Sequence, residues 1–243
     1  MEENAVLERL CLFGLTRQEA NIYLCLYQYG ELTGYEVAKD TGISRSNVYS
    51  ALSGLVDKGA AYLVEGNANK YIAVPIEEFC ENKIRSLNKE REYLIQNIPD
   101  MKRQEIGYIT IEGYRNIWDK IVNMLNSAEK RIYISASDMI IKALEAELIN
   151  VVRRNIKLVL LTDGQTAAEE IYKGSTCYLC ENRGKSIRVI IDSQYALTGA
   201  LTGDKNDTCL YTGQENFIDV FKEALSNEMK LITITQKERN IEQ

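Results

Sequence analysis

Few residues in this chain could do chemistry, and their spacing rules out most of it. Histidine is absent. That removes Ser-His-Asp and Cys-His catalysis and every histidine-ligated metal site. Six cysteines (Cys11, Cys25, Cys80, Cys177, Cys180 and Cys209) are scattered through mostly apolar patterns. This is how cysteine is used as a small hydrophobe in a reducing, cytoplasmic compartment. Cys177 and Cys180 have half the spacing of a zinc site, but no second pair and no histidine complete it. Free thiols and no metal are therefore expected. Gly184-Lys185-Ser186 has the tail of a phosphate loop, yet the position of its first glycine is Leu179. The segment also leads into a strand rather than a helix, which excludes that reading. Asp192, with Ser193 and Thr198 nearby, could hold a polar ligand or could simply close a strand-end turn. No catalytic residue and no cofactor are expected.

Reading a surface is better supported than reacting with one. From Gly42 to Lys58 the chain runs GISRSNVYSALSGLVDK. Val48, Leu52, Leu55 and Val56 fall on one stripe of a helix. Ser44 suits the N-cap, where its hydroxyl can accept a backbone N–H. The opposite face carries Arg45, Ser46, Asn47, Tyr49, Ser50 and Ser53. Short polar donors at an exposed helix N-terminus are what a DNA major-groove reader needs. Alone, the same pattern also fits a solvated amphipathic helix.

The surrounding elements decide between these. Residues 5–13 are helical in pattern and end at Gly14. Thr16 and Glu19 form a capping box, opening a helix that runs to about Tyr29 and stops at Gly30. A short helix over 35–40 ends near Gly42, and the polar-faced helix follows. Residues 60–64 and 70–74 are β-prone runs around a Gly/Asn turn, a hairpin. Helix, helix, short helix, turn, helix, hairpin is the winged helix-turn-helix order. The whole chain has 243 residues, 45% hydrophobic and 26% charged, which fits one large or two small soluble domains. Its apolar runs are too short to span a bilayer, and the start, with Glu2 and Glu3, lacks the basic region of a signal peptide.

The segment LTRQEANIYLCLYQYGELTGYEVAKDTGISRSNVYSALSGLVDKGAAYLVEGNANKYIAVPIEEF resembles the N-terminal domain of TrmB-type transcriptional regulators, almost without gaps. The resemblance implies sequence-specific binding of a double-stranded DNA operator. It implies Ser44, Arg45, Ser46, Asn47, Tyr49 and Ser50 in the major groove. It also implies the wing, with Asn67, Asn69 and Lys70, beside phosphates. Through Pro75 there are six Lys/Arg against nine Asp/Glu, a net charge of −3 within a chain of −6. An acidic reader depends on local cations and on dimerisation, so modest, salt-sensitive affinity is expected. The plan is α/β: a winged helix-turn-helix domain over 1–75, a linker and dimerisation helix over 76–105, and a regulatory α/β domain over 106–243. Pro75 suits the first helical position. Leu87 and Leu94, seven apart, suit the seam of a homodimer.

From residue 108 the order β-α-β-α-β predicts a parallel sheet with helices outside. A poorly patterned stretch over 162–185 follows, then strands over 187–191, 195–201 and 208–211 and a closing helix over 216–229. The segments GYRNIWDKIVNML, SAEKRIYISAS and IRVIIDSQYALTGAL resemble the phospholipase-D-like domain that follows the winged helix in TrmB-type proteins. The enzymes of that fold carry His-x-Lys-x4-Asp. With Asp192 as its aspartate, Lys185 stands at the histidine and Ile187 at the lysine. Both the nucleophile and the phosphate-holding lysine are lost, so an enzyme is not expected. A vestigial effector pocket bordered by Lys185, Asp192 and Ser193 is expected instead, for a small molecule that biases operator affinity. Archaeal relatives carry a further sugar-binding extension, for which residues up to Gln243 leave no room, so sugar recognition is not expected to transfer. Two rival readings are a winged-helix protein–protein adaptor and a hydrolase of the phospholipase-D-like fold.

Overall fold

The computed structural model describes residues 2–66, 68–99, 107–181 and 183–241, with backbone alone at 2–3 and 236–241. The chain divides into two compact units, 1–101 and 102–243.

In the first unit, α1 (Glu2–Leu12) and α2 (Arg17–Tyr29) are separated by Gly14 at φ 98°. The Thr16–Glu19 capping box forms: Glu19 N–H donates to the Thr16 hydroxyl at 3.2 Å, and Thr16 N–H donates to the Glu19 carboxylate at 2.6 Å. Gly30 ends α2 at φ 82°. A two-residue strand, β1 (Leu32–Thr33), precedes α3 (Gly34–Thr41), whose start is closed by a second capping box between Thr33 and Glu36. Next come α4 (Arg45–Asp57), β2 (Ala61–Val64) and β3 (Lys70–Ala73). The hairpin gains β1 as a third strand, in the order β1-β3-β2. Ile22, Tyr23 and Leu26 of α2, Val37 of α3, and Val48, Leu52 and Leu55 of α4 form one core with Phe79. Phe79 belongs to α5 (Ile76–Asn97), for which Pro75 is the N-cap rather than the first helical residue. Beyond Phe79, α5 buries no other described side chain within this unit.

The second unit is α/β, but its sheet is mixed, not parallel throughout. Its strands are β4 (Tyr108–Glu112), β5 (Arg131–Ala136), β6 (Lys157–Thr162), β7 (Ser175–Leu179), β8 (Ser186–Ile191), β9 (Tyr195–Ala200) and β10 (Thr208–Thr212). Their order is β4-β10-β9-β8-β5-β6-β7. Only β5–β6 and β6–β7 pair in parallel. The first strand, β4, does not join β5; it crosses to the far edge and pairs antiparallel with β10. Helices α6 (Tyr114–Ser127), α7 (Asp138–Ala143), α8 (Glu145–Arg153) and α9 (Glu169–Lys173) supply the connections between β4 and β7. Their apolar residues meet Ile132, Ile134, Leu158, Leu160, Ile187 and Val189 on one face of the sheet. The other face, with Val159, Leu161 and Ile190, is met by Ile218 and Leu225 of α10 (Glu215–Ile241). The sheet is therefore a layer between helices, and β6 is buried along nearly its whole length, as expected of an inner strand covered on both sides. Among the described residues no helix is long and apolar enough to cross a membrane.

Candidate functional sites

In the first unit the polar residues of α4 stand together on its outer face. Ser44, Arg45, Ser46, Asn47, Tyr49 and Ser50 are all exposed, while Val48, Leu52 and Leu55 are buried behind them. Ser44 occupies the N-cap, but its side chain makes no capping bond. The helix is started instead by backbone geometry and by Val48 N–H donating to the Ser44 carbonyl at 3.0 Å. The Ser44 hydroxyl is left on the surface. The Arg45 guanidinium lies 4.5 Å from the centre of the Tyr35 ring on α3, a cation–π contact worth about 0.5–1 kcal/mol at an exposed site. The Tyr49 ring packs over Gly34: a Cβ built there would sit 2.5 Å from the ring. Tyr35, Gly34 and Tyr49 thus fix how α3 and α4 present the polar face. Sequence reasoning missed Tyr35, because a contact between neighbouring helices leaves no periodic signal.

On the wing, Asn69 is exposed, and Asn67 lies outside the described residues. Lys70 is 3.3 Å from the Glu31 carboxylate, both about half exposed. Beneath the surface, burial pushes the Glu19 carboxyl up, but the Lys58 ammonium and the Thr16 bonds outweigh it and hold the group below the usual carboxylate range. Gly54 leaves room for that pair: a Cβ there would fall 2.4 Å from a Glu19 oxygen.

In the second unit the three residues expected around one pocket are not brought together. Lys185 precedes β8 and Asp192 follows it. A strand of this length puts them about 20 Å apart, at opposite ends of the sheet. The Asp192 carboxylate accepts N–H groups from Glu129 at 2.8 Å, Lys130 at 2.7 Å and Arg131 at 2.8 Å. Partial burial pushes its pKa up, and these three bonds outweigh that and bring it below the ordinary value. Asp192 and Ser193 are both left-handed, at φ 53° and 57°, so they form the turn between β8 and β9. Ile187, where the catalytic motif would place lysine, is fully buried in the core opposite Ala136. Cys177 lies in β7 and Cys180 just beyond it. Three extended residues span about 10 Å, more than a disulfide bridges. All six cysteines are free, and no group of described side chains could hold a metal ion.

At the opposite end of β8 from Asp192, a polar cluster was missed. The Arg183 side chain is buried, with Nε donating to Cys180 Sγ at 2.8 Å and Nη1 paired with Glu228 at 2.6 Å. Arg188 reaches the other Glu228 oxygen at 3.5 Å. Arg188 interrupts the apolar run Ile187 to Ile191, and that interruption was the one sequence signal available.

Two family models match this chain: "Sugar-specific transcriptional regulator TrmB" over residues 10–77 and "Transcriptional regulator TrmB, EBD N-terminal subdomain" over 107–227. The chain belongs to the TrmB family of transcriptional regulators. Among its relatives, Bacillus subtilis YrhO is 24% identical over 99% of this chain and 90% of its own length. The sugar-sensing regulator TrmBL1 of Pyrococcus furiosus is 26% identical over 87% of this chain, and the match spans 64% of the archaeal protein. Among solved structures, the archaeal chromatin protein TrmBL2 matches 95% of this chain and 99% of its own at 20% identity, with a TM-score of 0.47. The phospholipase D family member Nuc of Salmonella typhimurium covers 51% of this TrmB-family chain and 93% of its own at 12% identity, with a TM-score of 0.42.

Proposed function

We propose that the chain acts as a cytoplasmic homodimer that binds a double-stranded DNA operator through residues 1–75 and tunes that binding through residues 106–243. The observation that carries this is the outer face of α4. Six polar residues stand exposed along the N-cap and first turns of one helix, with Val48, Leu52 and Leu55 buried behind them. Ser44, Arg45, Ser46, Asn47, Tyr49 and Ser50 read bases and nearby phosphates, and Asn67, Asn69 and Lys70 lie along the backbone. The seam of the dimer is α5, where Leu87 and Leu94 are 58% and 50% exposed although both are large and apolar. Two copies of an acidic reader then act bivalently, which offsets its weak charge.

The second unit serves as a regulator rather than an enzyme. Its motif positions are Lys185 and Ile187, and the second is core. Phosphodiesterase chemistry would need a nucleophile that the chain lacks. The test is a gel shift with genomic fragments around the gene, repeated across salt. Specific retention that weakens steeply as salt rises supports the reading. Retention of no fragment, with capture of a partner protein instead, would replace it by the adaptor reading.

A further inference from the structure

Four buried side-chain polar atoms among the described residues lack a hydrogen-bond partner: Ser137 Oγ, Thr162 Oγ1, Ser175 Oγ and Arg183 Nη2. Such atoms are uncommon, because an unpaired buried donor gives up its hydration for nothing. Two of them belong to one place, the end of the sheet where β5 and β6 finish and β8 begins. Asp163, just after β6, joins them: one carboxylate oxygen accepts Asp138 N–H at 2.8 Å and the other accepts Arg183 N–H at 2.8 Å. Ser137, next to Asp138, therefore lies at the same end of the sheet as Arg183. Ser137 is the N-cap of α7, yet its hydroxyl makes no capping bond. Tyr133 of β5 faces α10, whereas Ile132, Ile134 and Ala136 face the other helices. Ser137 remains extended, at φ −65° and ψ 153°, so the alternation carries it to the α10 side. Thr162 follows Leu158 and Leu160 to the opposite side and takes no part.

On the α10 side two arginines converge on one carboxylate. Arg183, 8% exposed, gives Nη1 to one Glu228 oxygen at 2.6 Å, and Arg188 gives Nη1 to the other at 3.5 Å. The remaining Arg183 nitrogen, Nη2, is the unpartnered one. A guanidinium holds an oxyanion best through two parallel N–H bonds, and Glu228 uses only one of them. Ligands of α/β sheets enter the crevice outside the carboxyl ends of the parallel strands, which is where this cluster lies.

We propose that Arg183, Arg188 and Ser137 form an oxyanion site for the carboxylate or phosphate of a small metabolite, with Glu228 of α10 as its internal stand-in. The entering anion displaces Glu228, takes both Arg183 nitrogens and the Ser137 hydroxyl, and frees the Glu228 stretch of α10 from the sheet. This deepens the regulatory reading above, replacing the expected pocket at Lys185, Asp192 and Ser193 with one at the other end of β8.

Calorimetric titration of the full chain with inorganic phosphate and, separately, succinate tests the site without DNA. Glu228→Gln should bind one of the two about tenfold more tightly than the unaltered chain, since the competing carboxylate no longer occupies the site. Whichever anion binds identifies the chemistry. Adding Arg188→Met or Ser137→Ala to Glu228→Gln should weaken that binding severalfold. These two positions keep the test decisive even if Arg183→Met fails to fold. Absence of binding to Glu228→Gln by either anion, or binding indifferent to Arg188→Met and Ser137→Ala, overturns the proposal. A parallel operator titration with the bound anion separates the two claims. Binding without any change in DNA affinity leaves the site standing and removes its regulatory role.

Discussion

Asp192→Ala should destabilise the second unit without touching ligand or DNA. The Asp192 carboxylate accepts three consecutive backbone N–H groups, from Glu129, Lys130 and Arg131, at 2.7–2.8 Å. A hydrogen bond to a charged acceptor contributes about 1.5–3 kcal/mol net. These three donors belong to exposed residues, so water replaces part of what is lost. About 1 kcal/mol each, or roughly 3 kcal/mol together, is the reasonable figure. Alanine at φ 53° adds backbone strain that aspartate tolerates better. Trp118, the single tryptophan, lies on α6 of the same unit and reports its unfolding by fluorescence. Urea melts should show a midpoint lowered by about 1–3 M for a slope of about 1–3 kcal/mol/M. The sign with pH follows from the lowered pKa of Asp192. Its contribution is present above the unfolded value, about 3.9, and is lost as pH falls through the lower folded value. The gap between the unaltered chain and Asp192→Ala should therefore close only in acid. A variant within about 0.5 kcal/mol of the unaltered chain at neutral pH would refute this turn-closing account.

Three further outcomes follow from the first unit. Arg45→Ala should lower operator affinity by about 1–3 kcal/mol with an unchanged circular dichroism spectrum, and Tyr35→Ala should give a smaller loss by freeing the guanidinium it holds. Gly34→Ala places a methyl 2.5 Å from the Tyr49 ring. It should therefore destabilise the unit by about 1–2 kcal/mol despite alanine's better helix propensity, and Tyr49→Ala in the same chain should recover part of that in urea melts. Leu87→Glu with Leu94→Glu should sediment as a monomer, and a variant that stays dimeric would move the interface away from α5.

Local signals gave the elements whose ends are encoded by their own residues. The Thr16–Glu19 box and Gly30 delimit α2, Gly42 and the apolar stripe delimit α4, and the Gly/Asn turn separates β2 from β3. A second box, Thr33 with Glu36, was equally visible and went unread. Pairing was not legible. β4 is hydrogen-bonded to β10, nearly a hundred residues away, and a strand's pattern states which face is buried, not which neighbour it takes. β1 is two residues long, too short for any period. β7 has half-buried and exposed positions without clean alternation, so Ser175–Leu179 resembled loop. The polar face of α4 was legible because it is contiguous in sequence. The Arg183, Arg188 and Glu228 cluster was not, because its third member arrives from α10, forty residues later.

Lys70 and Arg183 both rest on carboxylates of the chain itself, and their burial sets how selectively each can be exchanged. Lys70 and Glu31 are 45% and 43% exposed, so their pairing contributes about 0–1 kcal/mol. Any phosphate brought near the wing can replace Glu31 at little loss, and so can salt. That exchange is cheap and unselective, as suits the proposed role of the wing, to position DNA without reading its sequence. Arg183 is 8% exposed. Removing its carboxylate without replacement would leave a buried charge, at a penalty of about 3–5 kcal/mol. Bulk salt cannot supply a replacement with defined geometry there, whereas a small oxyanion of the right shape can. At the proposed site the buried pair would therefore discriminate among anions in a way that the exposed one cannot, which is the property the proposed regulatory site needs and the proposed backbone-contacting wing does not.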